Sequence, residues 1–128
     1  MNPKEFQKCV DTIEESYEFF LAYAAQGVSG DEATQTDGQL RELLQRTDQA
    51  LTSLTERLPA LVEHEGLDPP EIYRAAIEVV QGDAHAARAV VRLVLAQPII
   101  SSQLIDNLNA SVHVRALLTD LFLLDEVV

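Results

Sequence analysis

Apolar side chains recur along this chain at alternating steps of four and three residues, the period of a helix seam and not the two-residue alternation of a strand. In the first segment the seam is Phe6, Val10, Ile13, Tyr17, Phe20 and Ala24, with Asp11, Glu14, Glu15 and Glu18 on the remaining surface. Asn2 stands where an N-cap belongs, Pro3 at the first helical position, and Gly27 where a left-handed residue would stop the helix. This predicts a helix over 3–26, followed by a polar loop over 28–38. The second seam is the clearest in the chain: Leu40, Leu44, Thr47, Leu51, Leu54, Leu58 and Leu61. It predicts a helix over 38–65 that lies antiparallel on the first. Pro59 interrupts it, removing one hydrogen bond and crowding the carbonyl of Thr55. Because Leu61 keeps the register, a kink is expected there, and Gly66 closes the segment.

Asp68-Pro69-Pro70-Glu71 reads as a helix start with Asp68 as cap, Pro69 first in the helix and Glu71 completing a capping box. Ile72, Ala76, Val79 and Val80 then give a short third helix its apolar face. Gly82-Asp83 is expected to end it, with Asp83 capping a fourth, enclosed helix from Ala84 to Gln97 that Pro98 terminates. Ser101 or Ser102 caps a last helix reaching about Glu126. That helix is apolar around most of its circumference, and the given sequence closes on Val127-Val128. The fold class expected is all-α: one domain over 1–128, a bundle of four to five helices with a long N-terminal hairpin and an apolar C-terminal helix.

Composition narrows the function. Apolar residues make up 47% and charged residues 23% of 128, values of a globular domain. Net charge is −12; residues 1–68 carry 14 acidic and 5 basic side chains, the rest 7 and 4. Such a chain repels phosphate, so direct nucleic-acid and anionic-membrane binding are disfavoured. An acidic nucleic-acid mimic is one alternative. Neither Ala84–Ile100 nor Ala116–Val128 offers the ~20 uninterrupted apolar residues a bilayer needs. Cys9 is the one cysteine, so no internal disulfide forms; with no signal-peptide pattern, a cytoplasmic location is expected.

No motif for catalysis is present, and no cofactor is implied. A carboxylate-bridged metal site needs Glu-x-x-His pairs, and neither His64, His85 nor His113 has a glutamate three residues before it. The expectation is no metal ligand, with a metal- or small-ligand-binding bundle as another alternative. Cys9 reads as a packed thiol, and Tyr17, Phe19, Phe20 and Tyr23 as core aromatics. Two rows mark the last helix. Asp106, Asn109, His113 and Asp120 form a polar row in which His113 could act as base or ligand. Asn107, Ser111 and Arg115, with Leu118, Leu121 and Phe122, suit an interface, because a buried arginine must find partners there. Arg41 is read as an outer-face residue. The functional expectation is a noncatalytic protein–protein interaction module, such as an adaptor, assembly factor or regulatory subunit. It is expected to work as a homo-oligomer, a homodimer above all, joined through the last helix.

Overall fold

The computed structural model describes the backbone of residues 1–26 and 31–128 and the side chains of 1–26 and 37–128. Its elements are all helical: α1 (Pro3–Gln26), α2 (Asp31–Arg57), α3 (Ala60–Glu65), α4 (Pro70–Leu95), α5 (Ser102–Ala110) and α6 (Val112–Val127). The all-α class stands, and the described residues form six helices where four or five were expected.

The first hairpin forms for the reasons the pattern gives. Asn2 Oδ1 accepts the Glu5 N–H at 2.8 Å, capping α1. Phe6, Val10, Ile13 and Phe20 are buried in one core with the leucines of the α2 seam, and α1 packs on α2. Arg57, at the end of α2, pairs with Glu5 at the start of α1, so the two run antiparallel. The loop expected over 28–38 is corrected: residues 31–38 are the first turns of α2. Its first residues, 28–30, and the expected stop at Gly27 lie outside the described residues.

At Pro59 the chain neither runs through nor turns away. The Leu58 N–H reaches Leu54 O at 3.4 Å, and the Leu61 and Val62 N–H groups bond back only three residues, to Leu58 and Pro59. Pro59 keeps right-handed helical angles (φ −56°, ψ −31°). Both flanking leucines, Leu58 and Leu61, therefore remain buried. Gly66 adopts φ 59° and ends α3, with the Leu67 N–H returning to Val62 O at 3.0 Å.

Three expectations about the second half are corrected. The α4 helix starts at Pro70, not Pro69, and Asp68 is not its cap. A residue before proline avoids helical angles, so Pro70 forces Pro69 into extended backbone (φ −76°, ψ 132°). Nor does Gly82 end a helix. Ile77, Val80, Ala84, Ala87, Val91 and Val94 form one buried stripe across it, and that burial outweighs the ~1 kcal/mol a mid-helix glycine costs. The last helix, in turn, is two. Ser101 Oγ accepts the Leu104 N–H and starts α5, and Ser111 (φ −57°, ψ 128°) breaks the axis. After the break each piece buries its own face: Ile105, Leu108 and Asn109 on α5, Leu117, Leu118, Leu121 and Leu124 on α6.

The chain thus makes an up-down-up-down bundle of α1, α2, α4 and a broken fourth rod. α2 packs on α1 and α4, α6 packs on α4, and α5 returns to α1. Tyr23 closes the ring by donating its hydroxyl to Ile100 O at 2.9 Å. Across the α2–α4 seam, Gln81 donates to Thr55 O, and Arg88 and Arg92 both hold Asp48. Among the described residues no helix is long and apolar enough to cross a membrane.

Candidate functional site: an apolar groove between α4 and α6

Core packing consumes only one stripe of α4. A second stripe on the same helix, Ile72, Ala76 and Val79, follows the 3.6-residue period one step away from Ile77 and Val80. The C-terminal half of α6 repeats the arrangement, with Leu121 and Leu124 turned inward and Leu123 and Val127 turned out. Since α4 and α6 pack antiparallel, these outward residues line the two walls of one groove. Its volume is about 550 Å³, and Pro69, Tyr73, Val80 and Leu124 complete its apolar lining. Ile72 is 62% exposed, Val79 57%, Leu123 68% and Val127 58%. These large aliphatic side chains stand open side by side, as one contiguous apolar patch and not as scattered surface residues.

Asp68 and Asp120 bring carboxyl groups to the groove lining, and behind Asp120 stands Asp83 of α4. The Asp120 carboxyl is pushed up to about 7, first by burial, then by its hydrogen bond to Asp83 and by the charge of Asp83. Asp120 Oδ2 is fully enclosed and meets no N–H or hydroxyl donor among the described residues. Below about pH 7 the Asp120 carboxyl therefore keeps a proton, which it can donate to Asp83. Neither forms an ion pair among the described residues. The three arginines of α4 are engaged elsewhere: Arg74 with Glu63, Arg88 and Arg92 with Asp48. A proton-sharing acid pair can serve hydrolysis, but that requires further polar groups to hold a water and a polarised substrate. Apart from Asp68 and Tyr73 the rest of this lining is aliphatic or proline.

The break at Ser111 divides the polar row read from the sequence between two helices. Asp106 is exposed and Asn109 buried on α5; His113 is exposed and Asp120 half-buried on α6; neither the amide nitrogen nor the oxygen of Asn109 meets a partner among the described residues. The carboxyl set against Asp120 is Asp83. Of the expected interface residues, Leu118 and Leu121 lie in the chain's own core, and Ser111 is half-buried at the break. Asn107, Arg115 and Phe122 are exposed; Arg115 and Phe122 share the outer face of α6 with Val112. Asp83 was missed because it reads as a helix cap. Ile72 and Val79 were legible as a spacing of seven, but were assigned to the core.

A second groove, of about 570 Å³, lies between α1 and α2 and is polar, with Glu5, Lys8, Arg46 and Arg57 among its lining. Cys9 stands half-buried in it, packed against the core. Burial raises its thiol pKa, Arg57 lowers it and Glu5 raises it again; the net rise keeps the thiol protonated and a poor nucleophile. Among the described residues no three His, Cys, Asp or Glu side chains converge as metal ligands would.

No protein-family model, no curated protein and no solved structure matches this chain.

Proposed function

We propose that this chain is a noncatalytic protein–protein interaction module, an adaptor, assembly factor or regulatory subunit, that docks its partner in the α4–α6 groove. The observation that carries this reading is the set of Ile72, Val79, Leu123 and Val127, four aliphatic side chains more than half exposed around one depression. Covering them removes apolar surface from water at roughly 25 cal/mol per Å², the main favourable term in most association. A soluble monomer would gain from polar residues at these positions, since they contribute nothing to its own core.

The test is the double substitution Ile72→Glu/Leu123→Glu. Both side chains are exposed, so helicity and melting temperature should stay near the parent's. Protein recovered with the parent from its native host should be absent from the variant. Recovery of the same proteins by both would remove the groove from the reading.

A second reading, self-association, rests on the outer face of α6, where Val112, Arg115 and Phe122 are exposed together. Its signature is a solution mass of twice 14.1 kDa that Phe122→Glu returns to the monomer. A mass of 14.1 kDa across micromolar concentrations removes it.

A further inference from the structure

We propose that the α4–α6 groove receives an amphipathic helix of a partner protein, and that this helix places one lysine or arginine against the Asp83–Asp120 carboxyl pair. The inference rests on the docking reading above and names what that groove selects.

The shape argues for a helix. From Ile72 to Val80 the α4 wall spans about 12 Å, just over two helical turns, at 1.5 Å per residue. Two antiparallel helices with outward aliphatic ridges offer a third helix the same ridge-and-groove packing that builds the rest of this bundle. Such a ligand is read through apolar anchors at i, i+3, i+4 and i+7. A small apolar molecule fits less well, because such ligands are held in sites that bury most of their surface. This trough leaves Ile72, Val79, Leu123 and Val127 more than half exposed.

The charge argues for a basic residue at one position. Asp83 and Asp120 are in contact and have no cationic partner among the described residues, while the arginines of α4 are committed to Glu63 and Asp48. A guanidinium or ammonium brought to this point would replace the shared proton and leave both carboxylates ionised and paired. The protein's net charge of −12 favours approach of a basic segment. A second copy of this chain is a poor occupant: it brings the same two acids and the same net charge.

Proton release follows. From α4 only Asp83 bears on Asp120; Asp68 lines the same groove; α5 carries a single titratable side chain, Asp106, which is exposed; and from α1 Glu14 approaches Asp125 instead. Because Asp120 titrates at about 7, a cationic helix binds more tightly at pH 8 than at pH 6.

The test is selection on the intact protein from a displayed library of 16-residue amphipathic helices, the apolar stripe fixed and every other position randomised. Binders sensitive to Ile72→Glu/Leu123→Glu should share lysine or arginine at one position. Replacing that residue by norleucine should weaken binding at least tenfold to the parent and leave binding to Asp83→Asn/Asp120→Asn unchanged. Groove binders without a common basic residue overturn this inference and leave the docking reading standing. Absence of any binder sensitive to Ile72→Glu/Leu123→Glu overturns both. A dimer that this substitution dissociates gives the groove to a second copy and overturns the basic partner.

Discussion

Arg41, near the start of α2, donates to the carbonyl oxygen of Gln97, just past the end of α4, at 3.0 Å. The same guanidinium reaches Pro98 O at 3.1 Å and Leu95 O at 3.4 Å, and its Nε bonds Asp37 at 3.0 Å. Carbonyls at a helix C-terminus have no partner within the helix and carry partial negative charge, so a cation placed there does two jobs at once. The sequence offered Arg41 as an outer-face residue and Arg115 as the anchored one. Within the folded chain the roles are exchanged.

Arg41→Ala is therefore expected to lower stability by about 1–3 kcal/mol, the range for hydrogen bonds made by a charged group. Arg115→Ala should stay within ~0.5 kcal/mol, as an exposed substitution does. Urea denaturation of both variants beside the parent checks this; equal midpoints for the two would contradict the anchoring role.

The acid pair makes stability depend on pH in an unusual direction. The Asp120 carboxyl titrates at about 7 in the folded chain and at an ordinary 3.8 when unfolded. Between these values the folded state holds a proton that the unfolded state has released, so stability falls as pH rises. The contribution is fully present below about pH 4 and lost as pH passes through about 7. Glu14, raised chiefly by burial and then by Asp11, Asp125 and Glu18, adds to the slope with the same sign. Asp120→Asn should flatten most of it and raise the melting temperature at pH 8 by about 3 °C, the shift of ~1 kcal/mol in a domain of this size. A parent whose melting temperature is level from pH 5 to pH 8 would contradict the shared proton.

Gly82 lies exposed in mid-helix, and a Cβ added there would meet nothing within 4 Å. Gly82→Ala should stabilise the chain by about 0.5–1 kcal/mol, by helix propensity and a less flexible unfolded state. Were Gly82 a hinge or a helix end, the same change would be neutral or costly. Thermal denaturation decides between them.

What the sequence by itself determined is the local physics. Seam spacing in 3–26 and 38–65 identifies both hairpin helices and every buried leucine of α2, because a periodic apolar stripe has one low-energy use. Asn2, Ser101 and Gly66 end or begin helices where their chemistry says they should, since a cap involves only neighbours a few residues away. Tertiary structure decided the rest. Whether Gly82 or Ser111 breaks a rod depends on what lies alongside: at Gly82 the stripe continues on both sides against α2 and α6, while at Ser111 the packing partner changes from α4 to α1 as the rod is followed backwards. Which aliphatic residues stay outside is likewise a property of the assembled bundle. Ile72 and Leu123 carry the same apolar signal as Ile77 and Leu124, and only the number of neighbouring helices leaves the first two uncovered. The meeting of Asp83 with Asp120, 37 positions apart in sequence, exists only because α4 and α6 pack antiparallel, and no local pattern in either helix encodes it.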